Sequence, residues 1–207
     1  MIVIGDVHGC FDTLMELIKQ FPKDQEYCFV GDLIDRGPKS KEVVDFVYNN
    51  NIKSCLGNHE EFLTLENHHL WCINGGSQTL ESYESSKELF NDHKKFLTSL
   101  PLYLKFDDLG LIVSHSSAST YFLNNCSDNF RNYILWDRPT RIKKIPNYFN
   151  VFGHTPNKKY IIKKNFANID TGCVFGYYLT ALQFPEMKIY QQKCVDEMRS
   201  TNLKYVI

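Results

Sequence analysis

Aspartate, asparagine and histidine recur in this sequence directly after short apolar runs, a pattern suited to holding divalent cations. The segments are Gly5-Asp6-Val7-His8-Gly9, Gly31-Asp32-Leu33-Ile34-Asp35-Arg36-Gly37-Pro38, Gly57-Asn58-His59-Glu60, Val113-Ser114-His115 and Phe152-Gly153-His154-Thr155. Taken singly, each has an ordinary reading. An Asp after Gly often caps a helix or a turn, and a lone His is usually a satisfied polar group. Five together, all ending strand-like runs and all offering oxygen or nitrogen, point to a metal centre. Asp6 and His8 are two residues apart, so an extended segment presents both side chains on one side, a spacing for one ion. Asp32 has two carboxylate oxygens and can bridge that ion to a second, for which Asn58, His115 and His154 supply the remaining donors. Mixed carboxylate and imidazole ligation suits manganese, iron or zinc and matches calcium poorly. Two such ions about 3.5–4 Å apart clamp phosphoryl oxygens and lower the pKa of a bridging water, giving a hydroxide nucleophile at neutral pH.

Charge counting favours a phosphate ligand. Two divalent ions bring about +4 against about -3 from Asp6, Asp32 and hydroxide, and the neutral Asn58 leaves the site positive. Arg36 lies inside a dense motif and offers a guanidinium fork for the non-bridging oxygens. Arg138, in Leu135-Trp136-Asp137-Arg138, offers the same fork, although its spacing alone fits a surface arginine equally well. His59 adjoins a ligand without being needed as one, which makes it the natural general acid for the leaving alcohol. Asp35 could pair with His59 and keep it protonated, or form a salt bridge to a nearby arginine.

The elements that must carry these residues are readable from periodicity. Apolar runs at Ile2–Ile4, Tyr27–Val30 and Ile52–Leu56 alternate with two helical patterns, one bearing Phe11, Leu14, Leu17 and Ile18, the other Val43, Val44, Phe46 and Val47. Strand, polar turn and helix in repetition predict β-α-β units with parallel strands, whose ligand site lies beyond the carboxyl ends. Residues 60–100 read as mostly helical, interrupted by Asn74-Gly75-Gly76. Short strands follow, at Leu102–Phe106, Leu111–Ser114, Asn150–Phe152, Tyr160–Ile162, Ala167–Ile169, Tyr178–Phe184 and Met187–Gln191. Their tight turns predict antiparallel pairing in a mixed sheet or two packed sheets. No linker or repeat divides residues 1–207, so one domain is expected, with the last dozen residues a polar, loosely packed tail.

The bulk composition narrows the partners. At 207 residues, 43% hydrophobic and 23% charged, the chain can bury a real core. A net charge of -1 with scattered basic residues gives no reason to expect nucleic acid or a membrane surface. Seven cysteines (Cys10, Cys28, Cys55, Cys72, Cys126, Cys173 and Cys194) without a C-x-x-C pair argue against a disulfide framework and a zinc knuckle. With no leader or membrane-span pattern, a reducing cytoplasm is the expected compartment and a monomer the default.

In this order the five segments resemble the phosphoprotein phosphatase branch of the calcineurin-like metallophosphoesterases, most nearly the small bacteriophage lambda type and its bacterial relatives. Ile73-Asn74-Gly75-Gly76, Leu135-Trp136-Asp137-Arg138 and Asp170-Thr171-Gly172 extend the resemblance over nearly the whole chain. It implies an α/β fold of two packed mixed β-sheets flanked by helices. It implies that Asp6, His8 and Asp32 hold one metal, and Asp32, Asn58, His115 and His154 the other, manganese being the usual ion. His59 with Asp35 becomes the proton donor, and Arg36 and Arg138, with Asn58, bind the phosphate. The implied activity is that of a phosphomonoesterase of the serine/threonine protein phosphatase type, acting on a phosphorylated protein or small phosphoester without an obligate regulatory subunit. His115 is followed by Ser116-Ser117, where the family more often has a small Ala or Gly and then Gly or Asp, which alters the adjoining substrate wall. The rival within the family is a bis(5'-nucleosyl)-tetraphosphatase. Its symmetrically cleaving members usually replace the acid at the Asp35 position with a small residue, so Asp35 favours monoesters. A non-catalytic metal-binding protein would lack a ligand or the general acid, and neither is missing here. Nucleic-acid phosphodiester cleavage would call for a basic groove, and the sequence has no signature of one.

Overall fold

The computed structural model describes residues 1–65, 68–118, 128–138 and 140–197; Cys126 and most of the expected polar tail lie outside the described residues. Two five-stranded sheets stack face to face. The first has the order β10-β9-β1-β2-β3, built from β1 (Ile2–Ile4), β2 (Tyr27–Phe29), β3 (Lys53–Ser54), β9 (Tyr178–Gln183) and β10 (Lys188–Lys193). The second has the order β4-β5-β6-β8-β7, built from β4 (Tyr103–Phe106), β5 (Leu111–Ser114), β6 (Phe149–Phe152), β7 (Ile161–Ile162) and β8 (Phe166–Asn168). β1, β2 and β3 run parallel, whereas β9 pairs antiparallel with β1 and β10 with β9. In the second sheet β5, β6 and β8 are parallel and the edge strands β4 and β7 antiparallel.

Side-chain alternation explains the layering. Ile2 and Ile4 of β1 face the layer containing α1 (Phe11–Ile18) and α2 (Ser40–Asn49), with Leu14, Leu17, Val43, Val44 and Val47. Val3, between them, points the other way and meets Val113, Val151 and Ala167 of the second sheet. β5 repeats the device: Leu111 and Val113 enter the space between the sheets. Ile112 turns outward to Ile134 and Leu135 of α7 (Asp128–Trp136). Both sheets are therefore covered on both faces, and β1 and the first three residues of β5 are apolar throughout.

The helical stretch expected over residues 60–100 is broken into α3 (Asn58–Glu61), α4 (His68–Trp71), α5 (Ser77–Ser82) and α6 (Lys87–Thr98). The break at Cys72–Gly76 is a π-turn in which Gly75 has φ 110°, a value open chiefly to glycine. The run at Ile52–Leu56 is strand only over Lys53–Ser54, because Leu56 N–H leaves the ladder to donate to Pro101 O at 2.7 Å. Helix α7 was not expected from the sequence; Phe130, Ile134 and Leu135 form its buried stripe among polar neighbours. No helix among the described residues is long and apolar enough to cross a membrane.

Candidate metal centre

The carboxyl ends of β1, β2, β5 and β6 and the segment after β3 meet at one pocket. Asp6, His8, Asp32, Arg36, Asn58, His59, Arg138, His154 and Asp170 line it, together with Cys173 and Phe175. Packing one atom of each of these loops so close requires unusual backbone. Of nine non-glycine residues with positive φ among the described residues, five are His8, Asp32, Asp35, Arg36 and His154. Such conformations cost on the order of 1–3 kcal/mol each and persist only where surrounding contacts hold them. Two glycines permit the approach. A Cβ on Gly153 would lie 1.9 Å from Asp6 Oδ1, and one on Gly57 would lie 2.2 Å from Asp32 Oδ1 and 2.3 Å from Asp32 N.

Asp32 sits at the middle. One of its oxygens, with donors from Asp6 and His115, falls in a group within 4.8 Å, and another group of the same size joins it to His8 and His59. His115 Nε2 lies 2.8 Å from Asn58 Oδ1 and 3.1 Å from His154 Nδ1, and that Nδ1 lies 3.0 Å from the same Asn58 oxygen. The outward ring nitrogens explain this crowding. His8 Nδ1–H donates to Ile34 O (2.9 Å), His115 Nδ1–H to Val30 O (3.2 Å) and His154 Nε2–H to Trp136 O (3.2 Å). With the proton assigned outward, each ring turns a lone pair into the pocket. Lone pairs of His115 and His154 facing an amide oxygen and two carboxylates repel unless a cation lies among them, so the donor set fits divalent metal. Orienting each ring through its other nitrogen is the arrangement metal-ligating histidines use.

Burial works against charge on every one of these groups. It holds Asp6 well above the usual carboxylate range, with the Asp170 and Asp32 charges adding to the effect. It pushes Asp32 up to about 7 and Asp170 up to about 6. Burial likewise lowers His115 to about 3 and His154 to about 2, and takes His8 well below its ordinary value with help from the Arg36 guanidinium. Neutral imidazoles beside crowded carboxylates form a cation-attracting pocket, and filling it would expel the carboxylate protons.

His59 and Asp35 stand beside this cluster as a pair. His59 Nδ1–H donates to Asp35 Oδ2 at 2.7 Å, and the arginine salt bridge considered for Asp35 is not among its contacts in the described residues. Asp35 also accepts from Trp71 Nε1–H (2.9 and 3.0 Å) and from the Thr79 hydroxyl (2.7 Å). Burial raises the Asp35 carboxyl and, with Arg36, lowers His59. Burial thus opposes the charge that the sequence argument expected Asp35 to keep on the imidazole. What Asp35 does enforce is the ring's orientation, with Nε2 free to face the pocket.

Arg36 Nη1 lies 2.8 Å from His8 Nε2, and its guanidinium carbon stands 5.6 Å from the Phe175 ring centroid. Gly75 backs this arginine: its carbonyl accepts Arg36 N–H at 3.0 Å, and a Cβ there would lie 2.6 Å from Arg36 Cγ. The Asn74-Gly75-Gly76 turn thus borders the pocket. Arg138 is exposed at the rim. Ser116, one of the two departures from the expected pattern, donates its hydroxyl to Asp137 O and its N–H to Ile134 O at 2.8 Å, tying the His115 loop to the end of α7 that carries Arg138.

Sequence reasoning missed several residues that build the site. Glu60 is fully buried and accepts four backbone N–H bonds: Asp32 (2.9 Å) and Gly57 (2.8 Å) on Oε2, Leu33 (2.8 Å) and Ile34 (3.3 Å) on Oε1. It joins the Asp32 loop to the Asn58 loop. Asp170 follows β8 as Asp32 follows β2, so the same strand-end signal could have marked it. Trp71 and Thr79 bind Asp35 from 36 and 44 residues away and left no local signal.

The sequence profile of the calcineurin-like phosphoesterase family matches residues 1–190. An Anoxybacillus flavithermus protein named bis(5'-nucleosyl)-tetraphosphatase PrpE [asymmetrical] is 31% identical over 90% of this chain and 91% of its own. A crystal structure provisionally named a diadenosine tetraphosphatase superposes with TM-score 0.68 at 22% identity, covering 93% of this chain and 92% of that one. A serine/threonine phosphatase of Saccharomyces cerevisiae, described as similar to human PP5, gives 0.61 at 19% identity, covering 95% and 80%. Fold, donor set and sequence agree, and the chain belongs to the calcineurin-like phosphoesterase family of hydrolases.

Proposed function

We propose that this protein is a two-metal phosphoesterase that hydrolyses dinucleoside polyphosphates. The observation that carries the reading is the convergence of Asp6, His8, Asp32, Asn58, His115 and His154 in one cluster, with the His59–Asp35 pair at its edge. Asp6, His8 and Asp32 would hold one ion and Asp32, Asn58, His115 and His154 the other, manganese being the ion expected. Bound there, two divalent ions supply Lewis acidity toward phosphoryl oxygens and a water made nucleophilic at neutral pH. Arg36 and Arg138 bind the non-bridging oxygens, where their forks match charge growing in the transition state, and Asn58 lies beside them. In its doubly protonated form His59 would deliver a proton from Nε2 to the departing oxygen, while Asp35 keeps the Nδ1–H bond and offsets the ring's charge against the burial that opposes it.

The substrate class rests on the name carried by the 31%-identical relative, and two residues agree with it. Asp35, which argued against symmetrical cleavage, is compatible with the asymmetrical mode in that name. Phe175 lines the pocket and is only half-buried, so it offers aromatic surface on which a base can stack. A second reading, hydrolysis of phosphomonoesters including phosphorylated protein, draws on the His59–Asp35 pair. An alkoxide leaving group needs a proton, whereas a nucleotide phosphate departs readily without one. A manganese-supplemented assay of diadenosine tetraphosphate and p-nitrophenyl phosphate in parallel, with His59→Ala as control, separates the two. Efficient conversion of the dinucleotide to ATP and AMP is expected. Fast monoester turnover with a sluggish dinucleotide reaction would establish the second reading, and activity on neither would remove both.

A further inference from the structure

A second convergence of metal-capable side chains lies beside this centre and shares only Cys173 with the lining of its pocket. Cys10 begins α1, Cys173 follows the Asp170-Thr171-Gly172 turn, and Cys194 follows β10, so three remote parts of the chain each deliver one thiol. Their sulfurs all lie within 4.8 Å of one another. Cys10 is fully buried, Cys173 is 2% exposed, and Cys194 is half-buried, so the cluster meets solvent on one side. A thiol that merely fills space needs no second thiol beside it, whereas a soft metal needs several.

The framework around the three is fixed. Asp196 accepts the backbone N–H groups of Asp12 (3.1 Å) and Thr13 (3.0 Å) and the Thr13 hydroxyl (2.6 Å), while Val195 N–H donates to that hydroxyl oxygen at 3.0 Å. The residues after Cys194 are thereby fastened to the start of α1, which holds Cys194 against Cys10. The buried Asp196 carboxylate adds a negative charge beside the thiols and favours a cation there.

We propose that Cys10, Cys173 and Cys194 form a trithiolate site for one zinc(II)-class ion, separate from the oxygen and nitrogen centre. Zinc–sulfur bonds of about 2.3 Å put the sulfurs of a tetrahedral site about 3.8 Å apart, so closing the cluster asks for shifts of about 1 Å or less. Binding replaces three S–H bonds by three S–metal bonds and releases three protons to water, with no change of oxidation state. The fourth position opens toward the exposed side of Cys194. Soft sulfur ligands discriminate against manganese, so the two centres would load with different ions. Because Cys173 also lines the phosphate pocket, an ion here would brace the Asp170 turn and the His8 loop together.

The test is a cadmium titration of the chelated, fully reduced protein, followed by the ultraviolet thiolate-to-cadmium charge-transfer band, which carboxylate and imidazole ligands do not produce. The band should saturate at one equivalent of thiolate-bound cadmium and reverse on addition of excess zinc. It should be lost in Cys194→Ser and Cys173→Ser and kept in Cys72→Ser. It should also persist in Asp32→Ala, so a failed phosphate centre and a failed thiolate site remain distinguishable. Zinc should raise the Tm of Asp32→Ala and leave that of Asp32→Ala/Cys194→Ser unmoved. Should Cys173→Ser not fold, the half-buried Cys194→Ser decides. No band, or one that survives Cys194→Ser, would overturn the proposal and leave the thiols as core filling.

Discussion

Replacing Glu60 by Gln changes one oxygen to an NH2 group and tests whether this buried carboxylate holds the site together. Each Glu60 oxygen accepts two backbone N–H bonds, at 2.9 and 2.8 Å on one and 2.8 and 3.3 Å on the other. The amide keeps one accepting oxygen and aims a donor at the other pair, so two N–H groups lose their partner away from solvent. A buried donor left unpaired costs about 1–3 kcal/mol, which gives roughly 2–6 kcal/mol for two. Part of this is offset because a charge no longer has to be buried; burial, with the Asp32 charge, pushes the Glu60 carboxyl up to about 7. The expected loss in urea unfolding of the ion-free protein is about 2–4 kcal/mol. The same bonds position Asp32 and the Gly57-Asn58 turn, and groups supporting metal ligands in this way are worth about 10–100-fold in affinity. A manganese titration should weaken by that factor. A Gln variant within about 0.5 kcal/mol of the parent, with unchanged manganese affinity, would refute the reasoning.

His59→Ala should lower turnover of an alkyl phosphate monoester about 10²–10⁴-fold, and of the dinucleotide by less, while both ions stay bound; metal analysis showing substantial loss would contradict its assignment as the acid. Asp32→Ala should release both ions, and full retained activity would sink the bridging role. Gly57→Ala should weaken metal binding measured by calorimetry, because the added Cβ meets Asp32 N at 2.3 Å and backbone cannot yield as a side-chain tip can; unaltered affinity would show that the loop has slack. The stability difference between chelated parent and Glu60→Gln should shrink as pH rises from about 4.5 to 7. The Glu60 carboxyl is raised from its ordinary 4.5 to about 7 in the fold, so its contribution is complete below the unfolded value and is lost as pH rises through the folded one. The buried histidines act oppositely over that range, because unfolded imidazoles bind protons that the folded ones refuse, and they cancel in the comparison. A difference in urea-unfolding free energy that stays constant or widens with pH would disprove this.

The strand-end candidate ligands share a local signal: an apolar run buried on both faces, then a turn and a polar residue with nowhere to go but the sheet's edge. Asp6, Asp32, Asn58, His115 and His154 all announce themselves this way. Glu60 did not, since its partners lie in Asp32, Leu33 and Ile34, more than twenty residues earlier, and an acid in the first turn of a helix already has an ordinary explanation. Trp71 is core, stacked near Phe90, yet its indole N–H reaches Asp35. Asn150 lies inside a strand and is fully surrounded; only the structure shows its amide accepting from Ala118 N–H and donating to Ile112 O and the Ser114 hydroxyl, which steadies the strand leading to His115. α7 escaped notice because its stripe is only three residues wide, and what calls for it is the outward face of β5.

The placement of β1 between β2 and β9 sets an order on the protein's own synthesis. Ile2, Val3 and Ile4 leave the ribosome long before Ala181, Leu182 and Gln183, with which they pair. Until β9 emerges, β1 presents an unpaired apolar edge, the kind of surface that recruits strands from other chains. Nascent chains stalled before residue 178 should therefore depend on chaperones, and hydrolytic capacity should arrive all at once after β9 has emerged instead of growing with length.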